Sequence, residues 1–539
     1  MPDVHVTIDG IEVAVPANTT VLKAAEAAGV EIPVLCAHPA IKPIGACRMC
    51  LVEVEKQRVL QPACTFPVSE GMVVHTTTPK VMDARRFVLQ LLFSERNHFC
   101  MYCQMSGSCE LQNLAYDAGL DHWEFDRAFP QMPIDASRKY FAMDHNRCVL
   151  CRRCIRACDE LVGNSTLGLR HRGASTMIIA DADVPFGESS CVACGTCLQV
   201  CPTGALMDRA SAYMGADKEI TRVKSHCMAC SVGCAVELVV RDNRVIRIEG
   251  DWDGTPNKGL LCEIGRFLPL HDARQRVRRP LVKSGEGWQD STYEAAMAQV
   301  AAEFKAAGAG LQTVVTGFAT TEAATAIASG LPGAKSYVGN APAEGACADL
   351  ACLDEADLYL VVNTDLARDY QVAGFAIKRS VGHRGARLIL VDANENGMEP
   401  WAVAQWAPAE AAKAVEIAKG AELPVIVYGP AGAQLAAELA AQLPKARQVA
   451  FADGGNARGI AGAGFAPFAD KVADTYYVVA GEAKADAALL DTLRQAKFVV
   501  VQAAYREPWA EVADVILPSP TTQEKSGTMV NAEGRSAEV

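Results

Sequence analysis

The chain has 539 residues, of which half are hydrophobic and 6% are aromatic, and its formal net charge is −12. A length of this order predicts about three to five domains of an ordinary soluble protein, and the acidic balance argues against a nucleic-acid-binding surface. The N-terminal stretch has no basic region followed by an apolar run, and no apolar run approaches a membrane span. Neither a secretory signal nor a membrane-spanning helix is therefore expected.

Cysteine is the unusual component of the sequence. There are 21 cysteines, and all but two precede residue 263. Because no secretory signal is expected, a reducing compartment is the better assumption, and structural disulfides are rare there. The odd count and the repeated C-x2-C spacing therefore predict metal or iron–sulfur sites.

The first predicted elements are a β-hairpin and a helix. Hydrophobic residues alternate through residues 4–15 on both sides of a tight turn at Asp9-Gly10. The helix has Thr19 or Thr20 as its N-cap and ends at Gly29. The next cysteines follow C-x10-C-x2-C-x13-C spacing and are Cys36, Cys47, Cys50 and Cys64. This order is that of a small β-grasp ferredoxin and favours a [2Fe–2S] cluster, with zinc as the minor alternative.

A second cysteine motif is one ligand short. A predicted helix over residues 81–95 leads to C-x2-C-x5-C, formed by Cys100, Cys103 and Cys109. A cubane [4Fe–4S] cluster needs four protein ligands, yet no fourth cysteine lies within thirty residues. Either this segment holds no cluster, or a residue other than cysteine completes the site.

Two matching runs follow, each with the spacing C-x2-C-x2-C-x3-C. The first comprises Cys148, Cys151, Cys154 and Cys158, and the second comprises Cys191, Cys194, Cys197 and Cys201, followed by Pro202. In two-cluster ferredoxins the fourth cysteine of each run ligates the other cluster. We therefore predict one cubane on Cys148, Cys151, Cys154 and Cys201, and a second on Cys191, Cys194, Cys197 and Cys158. Two unrelated zinc sites would not explain the repeat.

A last four-cysteine set spans a long gap. Cys227, Cys230, Cys234 and Cys262 follow C-x2-C-x3-C-x27-C spacing. The segment inside the gap alternates like a hairpin with its turn at Asp242-Asn243. We expect these four thiols to form one compact site.

The sequence changes character after residue 275. Short apolar strands alternate with alanine-rich helices, which predicts a doubly wound parallel α/β architecture. Glycines at a strand-to-helix turn over residues 427–439 lack a full dinucleotide fingerprint and are interpreted as packing positions. The two remaining cysteines, Cys347 and Cys352, are expected to be buried thiols that pack as small hydrophobic residues.

Taken in chain order, these motifs resemble one family, the large G-type iron–sulfur subunit of NADH:quinone oxidoreductase, or respiratory complex I. Related subunits occur in NAD-reducing hydrogenases and NAD-linked formate dehydrogenases. Residues 225–535 are similar to molybdopterin oxidoreductases. The resemblance implies a multidomain α+β and α/β protein with five parts: a β-grasp 2Fe-2S ferredoxin (1–79), a His/Cys3 4Fe-4S segment (80–120), a double 4Fe-4S ferredoxin (138–216), a molybdopterin-oxidoreductase-type 4Fe-4S domain (220–275), and a degenerate molybdopterin-oxidoreductase-like α/β domain (276–539).

The resemblance also supplies the missing ligand. Five clusters need twenty ligands, and the motifs contain nineteen cysteines. In this family a histidine completes the three-cysteine cluster, usually four residues before its first cysteine, but this chain has Arg96 there, and arginine does not deprotonate. His98 is the expected replacement, at a spacing closer to the hydrogenase-type subunits, with His75 and His38 as remote alternatives. One [2Fe–2S] and four [4Fe–4S] clusters are expected.

No molybdopterin is expected. Molybdopterin enzymes bind their metal through a cysteine, selenocysteine or serine, and residues 318–333 contain no such cysteine. Ile264 replaces the lysine of their C-x-K-G motif, and the sequence given ends shortly after residue 535, where a pterin-binding barrel would continue. The α/β half is accordingly interpreted as a retained scaffold, because a fold alone does not carry chemistry.

The expected function is electron transfer within a multisubunit NAD(P)H-linked oxidoreductase, with no independent substrate site in this chain. An NADH-oxidising FMN flavoprotein would feed it, and a downstream iron–sulfur or catalytic subunit would drain it. The alternatives are the same role in a soluble hydrogenase, formate dehydrogenase or electron-bifurcating complex, and a free-standing multicluster ferredoxin, which would leave the α/β half without a role. We expect a cytoplasmic protein that reaches the cytoplasmic face of a membrane only through partner subunits.

Overall fold

The computed structural model describes residues 3–285, 287–338, 348–468 and 473–539. It forms two compact units, one of Met1–Thr221 with Val240–Ile246 and the other of Arg222–Val239 with Arg247–Val539. In the described ranges, no helix combines the length and apolarity needed to cross a membrane. The domain boundaries given above stay predictions.

The strands of the first unit are β1 (Asp3–Ile8), β2 (Ile11–Pro16), β3 (Leu51–Val54), β4 (Gln61–Pro62), β5 (Met72–His75), β6 (Ile134–Asp135), β7 (Phe141–Asp144), β8 (Leu167–Arg170), β9 (Met177–Ala180) and β10 (Leu206–Asp208). Its helices are α1 (Val21–Ala27), α2 (Pro79–Glu95), α3 (Glu110–Asp117), α4 (Arg153–Arg156) and α5 (Thr196–Gln199). Most are short, so the cysteine loops occupy much of this unit.

The predicted N-terminal hairpin is confirmed. β1 and β2 pair antiparallel with Ile8 opposite Ile11, and both turn residues have positive φ, 48° at Asp9 and 85° at Gly10. Such a turn matches the right-handed twist of the strands. The hairpin joins a sheet of order β2-β1-β5-β3-β4, whose apolar face packs on α1.

The two helices predicted in this region, α1 and α2, are also confirmed, and a threonine side chain caps the N-terminus of each. Thr20, rather than Thr19, accepts the N-terminal hydrogen bond of α1 from the Lys23 amide. Thr78 caps α2 in the same way through the Val81 amide. Residues of α2 and α3 pack on Leu35 and Met49, which flank cysteines of the first motif. Burial of these side chains brings the first two cysteine motifs together.

Three further strands are β11 (Thr221–His226), β12 (Ala235–Arg241) and β13 (Arg244–Gly250), in the sheet order β11-β12-β13. The hairpin predicted at Asp242-Asn243 is confirmed, and both turn residues have positive φ, 50° and 59°.

The other helices are α6 (Glu263–Arg266), α7 (Leu268–His271), α8 (Tyr293–Ala307), α9 (Thr321–Gly330), α10 (Cys352–Glu355), α11 (Gln371–Arg384), α12 (Ala411–Ala418), α13 (Ala433–Gln442), α14 (Ala457–Gly462) and α15 (Ala487–Leu493). The other strands are β14 (Leu281–Ser284), β15 (Gly287–Asp290), β16 (Leu311–Val315), β17 (Ala334–Tyr337), β18 (Leu358–Val362), β19 (Arg387–Val391), β20 (Ala404–Trp406), β21 (Pro424–Tyr428), β22 (Arg447–Ala450), β23 (Ala466–Pro467), β24 (Thr475–Gly481), β25 (Phe498–Ala503), β26 (Val515–Pro518), β27 (Thr528–Val530) and β28 (Ser536–Glu538).

The predicted parallel strands are present, but they belong to two sheets. One sheet has the order β15-β14-β26-β25-β24-β16-β17-β23, and the other has the order β20-β19-β18-β21-β22. The chain leaves the first sheet after β17, builds the second with five consecutive strands, and returns at β23. All five residues of β18 are buried, as helices on both faces of a parallel sheet require.

Two smaller predictions concern packing. A side chain at Gly432 would meet the Val362 carbonyl oxygen at 2.2 Å, so this glycine allows a close approach of helix and strand, as predicted. Cys352 opens α10 with 1% of its surface exposed, which agrees with a thiol packed in the core. Cys347 lies outside the described residues.

Candidate iron–sulfur sites

The four cysteines of the first motif converge in the loops beside β3 and β4. The Cys36 amide donates to the Cys47 sulfur at 3.3 Å, and the Cys47 amide donates to the Cys36 sulfur at 3.5 Å. Hydrogen bonds between thiols join Cys36 to Cys47 and Cys64, and Cys50 to Cys64. The bond to Cys47 lowers the pKa of Cys36, and the bond to Cys36 raises the pKa of Cys64. Four sulfurs packed this closely suit a [2Fe–2S] cluster.

The three-cysteine motif surrounds a pocket that His98 also lines. Its walls include Cys100, Cys103 and Cys109 together with His98. The Nε2 atom of His98 is buried and has no hydrogen-bond partner within the described residues. A buried polar nitrogen without a partner is costly in a folded protein. A metal ion at this position would remove that cost.

Burial, and then the charges of Arg147 and Arg96, lower the pKa of His98 to about 4. The imidazole is therefore neutral near pH 7, as a metal ligand must be. The ring of Phe93 meets the imidazole edge-on, with 5.5 Å between ring centroids, and this contact fixes its orientation. A neutral imidazole nitrogen and three thiols around one pocket fit a His/Cys3 cluster.

The other histidine candidates and Arg96 are engaged elsewhere. The Nε2 atom of His75 lies 3.3 Å from the Glu55 carboxylate, and the Nδ1 atom of His38 accepts a hydrogen bond from the Ala40 amide. Arg96 is 2% exposed and donates to the carbonyl oxygens of His145, Ala174 and Thr176.

The two matching runs fold alike. In the first run the Leu150 amide donates to the Cys148 sulfur, and in the second the Ala193 amide donates to the Cys191 sulfur, both at 3.4 Å. Positive φ recurs at equivalent positions, at Leu150 and Arg152 and again at Ala193 and Gly195. Each C-x2-C loop therefore wraps its sulfurs in the same way.

The structure places the fourth cysteine of each run near the first three cysteines of the other run. Cys148, Cys151, Cys154 and Cys201 line one pocket. Electrostatic interactions with Cys194 and Cys191 act on Cys158. Cys197 interacts most with the same three thiols and least with Cys201. Burial is the main cause that raises the pKa of Cys148 to about 11 and that of Cys158 to about 12. Thiols this deeply buried need an adjacent positive charge, such as iron, to ionise.

The last set forms a compact site despite its 27-residue gap. Cys227, Cys230, Cys234 and Cys262 line one pocket. A side chain at Gly265 would lie 3.4 Å from the Cys227 sulfur and 3.8 Å from the Cys262 sulfur. The Cys262 sulfur caps α6 by accepting from the Gly265 amide, and burial raises the pKa of Cys227 to about 12.

Within the described ranges, no three His, Cys, Asp or Glu side chains are placed to hold one metal ion together.

Comparison with known families assigns most of these segments. The matching family models are a 2Fe-2S iron-sulfur cluster binding domain (residues 2–79), the NADH-ubiquinone oxidoreductase-G iron-sulfur binding region (85–123), the NADH-quinone oxidoreductase subunit 3 ferredoxin-like domain (139–207), the molybdopterin oxidoreductase Fe4S4 domain (220–271) and molybdopterin oxidoreductase (439–538). The chain is related to the G-type iron–sulfur subunits of NADH-quinone oxidoreductases.

Two relatives and one solved structure are similar to parts of the chain. A G-type NADH-quinone oxidoreductase subunit of Rhizobium meliloti is 36% identical, over 52% of this chain and 33% of the relative. NADPH-Fe(3+) oxidoreductase subunit alpha of Geobacter sulfurreducens is 30% identical, over 72% of this chain and 48% of the relative. The chain thus spans between a third and a half of the length of these relatives. The crystal structure of an NAD+-reducing [NiFe]-hydrogenase in the H2-reduced state contains a chain that is 37% identical, over 39% of this chain and 90% of that one, with a TM-score of 0.37.

Two buried arginines near the cysteine motifs of this chain were not predicted from its sequence. Arg153, 2% exposed, donates to both carboxylate oxygens of Glu110, at 2.6 and 2.8 Å. Arg156, also buried, donates to the carbonyl oxygens of Cys36, Lys42 and Cys151. Their position within the first C-x2-C-x2-C-x3-C run places both charges close to a predicted cluster, but the run does not indicate which carbonyl or carboxylate groups they bind.

Gly204 provides a first test of the His98 pocket. A side chain at Gly204 would lie 2.6 Å from the Cys103 sulfur, closer than van der Waals contact allows. We expect Gly204→Ala to displace that sulfur and to lower the iron content by up to about four irons per chain, the content of one cubane. Gly382→Ala, at a position with open space around it, should keep the full iron content. Equal iron in both variants would contradict the placement of Cys103.

Proposed function

We propose that this chain relays single electrons through five iron–sulfur clusters in an NAD(P)H-linked oxidoreductase. The observation that carries the proposal is that three pockets are each lined by four predicted ligands, one of them by His98 and three cysteines. The other eight of the twenty predicted ligands form two further sets of neighbouring thiols. Clusters of this kind accept and release one electron at potentials set by ligand type, burial and hydrogen bonding. The relationship to G-type subunits supports the same role.

The contribution of the protein to this function is to position the cluster ligands and to set their surroundings. The loops hold thiols in buried, largely apolar surroundings, where a cluster is shielded from water. His98 supplies a neutral nitrogen at one site, so that site carries one negative charge fewer than a four-thiolate site. Backbone amides that point at the Cys148 and Cys191 sulfurs stabilise negative charge there.

We also propose the finer fold names and the partners. The N-terminal sheet is a β-grasp ferredoxin, and the two sheets of the second unit are a molybdopterin-oxidoreductase-like scaffold without bound pterin. An NADH-oxidising flavoprotein would donate electrons, and a downstream iron–sulfur or catalytic subunit would accept them. This chain has no substrate site of its own.

The alternative is the same relay in a soluble NAD(P)-linked hydrogenase, formate dehydrogenase or electron-bifurcating complex. The position of the histidine favours it, since Arg96 stands where complex I members usually have their ligand. The 30% identity to an NADPH-Fe(3+) oxidoreductase subunit alpha also supports it. Purification of the native complex separates the two, because hydrophobic membrane subunits would accompany the chain only in a quinone-reducing complex.

Metal analysis of the anaerobically purified chain tests the proposal. One [2Fe–2S] and four [4Fe–4S] clusters predict about eighteen irons per chain, with a matching amount of acid-labile sulfide. We expect neither molybdenum nor tungsten. Six or fewer irons would refute the relay, and near one molybdenum per chain with an extractable pterin would make the chain a dehydrogenase instead.

A further inference from the structure

Arg156 occupies a special position in the first unit. It ends α4, two residues after Cys154 and two before Cys158, and the helix continues through a π-helical turn over Ala157–Leu161. Its side chain is 8% exposed. A buried guanidinium needs polar contacts to offset the loss of water. The two terminal nitrogens of Arg156 donate to backbone carbonyl oxygens, whereas its buried Nε atom has no hydrogen-bond partner within the described residues.

Those carbonyls come from two different cluster loops. One terminal nitrogen of Arg156 donates to Lys42. The other donates to Cys36 and, at 3.4 Å, to Cys151. Cys36 belongs to the [2Fe–2S] motif and Cys151 to the first cubane. A single side chain therefore joins the backbones of two predicted ligands from different clusters.

A second contact reinforces the same junction. The Lys42 amide donates to the Glu160 carboxylate at 2.8 Å, and Glu160 lies one turn after Arg156. The loop that follows Cys36 is thus held at both its carbonyl and its amide groups. Hydrogen bonds to charged groups of this kind are about twice as strong as neutral ones.

We propose that Arg156 is a positioning residue that fixes the [2Fe–2S] loop against the first cubane and raises the reduction potential of the [2Fe–2S] cluster. This inference rests on the proposed function. A fixed cation beside a cluster favours the reduced form, which carries one more negative charge. Low solvent exposure keeps that charge from being screened. The same residue thus acts on both the spacing of the two clusters and the potential of the [2Fe–2S] cluster.

Three variants of the full chain test this proposal: Arg156→Gln, Arg156→Lys and the control Arg48→Gln. Arg48 lies between Cys47 and Met49 in the same cluster loop but is exposed to solvent, so its removal deletes a screened charge. Two measurements are needed, the midpoint potential of the [2Fe–2S] cluster from an EPR-monitored redox titration and amide hydrogen exchange over residues 36–47.

For Arg156→Gln we expect a lower midpoint potential and roughly tenfold or faster exchange over residues 36–47, from the loss of charge-assisted hydrogen bonds. Arg156→Lys should keep the potential near the wild-type value, because it keeps the charge. It should still show faster exchange, because one ammonium group cannot reach three carbonyls. Arg48→Gln should change neither quantity.

The proposal is wrong if Arg156→Gln keeps both the wild-type midpoint potential of the [2Fe–2S] cluster and the wild-type exchange rates over residues 36–47. If Arg156→Gln does not fold, unchanged exchange in Arg156→Lys would overturn it. Failure of the proposed function gives a different result, since the wild-type chain would then show no [2Fe–2S] signal at all.

Discussion

Replacing His98 with alanine is expected to remove one [4Fe–4S] cluster, about four irons per chain, while the other clusters stay. The reason is that three cysteines and His98 line one pocket, and the His98 nitrogen there has no protein partner in the described part of the chain. Iron analysis and low-temperature EPR of the reduced protein measure the loss. His122→Ala is the matched control, because His122 is exposed and paired with Asp121 at the surface.

His98→Cys separates ligation from folding. A cysteine restores a fourth ligand, so the iron should return, but the added thiolate charge should lower the cluster potential, as comparison of Rieske with all-cysteine centres indicates. If His98→Ala keeps both its iron and every cluster spectrum, then the ligand is another residue and the His/Cys3 assignment fails.

Pairs of cysteine variants are expected to reveal the crossed ligands. Cys201 lies in the second run but lines a pocket with Cys148, Cys151 and Cys154 of the first. Cys148→Ala with Cys201→Ala should therefore cost about four irons, because both changes act on one cubane. Cys191→Ala with Cys201→Ala should cost about eight, because the changes act on two.

The opposite ranking would show that each run ligates its own cubane. Cys191→Ala with Cys158→Ala completes the set and should again cost about four irons, since both thiols belong to the second group. Cys352→Ala is the control, since that thiol lies in the core of the α/β half and should leave the iron unchanged.

The local parts of these sites can be predicted from sequence because their signals are local. A C-x2-C loop fixes two sulfurs by chain geometry alone, and the turn at Asp242-Asn243 forms the hairpin that brings Cys262 back to Cys227. The His98 assignment depended on the family's ligand count as well, because a lone histidine has no distinctive spacing.

Other features have no sequence signature. Arg156 donates to the carbonyl oxygen of Cys36, 120 residues earlier in the chain. Because every residue has a backbone carbonyl, no residue type in the sequence marks the acceptor. The division of the parallel strands into two sheets is hidden for a similar reason. β16 and β18 are both short and largely buried strands, and strands of this kind do not specify which strands they will pair with.

Arg96 restricts how the histidine ligand could move from position 98 to position 96 in this chain. The family resemblance implies a histidine at position 96, but the guanidinium of Arg96 donates to three backbone carbonyls from two later segments. A mutation of Arg96 to histidine would therefore remove these buried hydrogen bonds and destabilise the fold, even if the new histidine could bind the cluster. A move of the ligand from position 98 to position 96 would therefore require coordinated substitutions in this chain, because the backbone carbonyls that Arg96 now binds would need new donors.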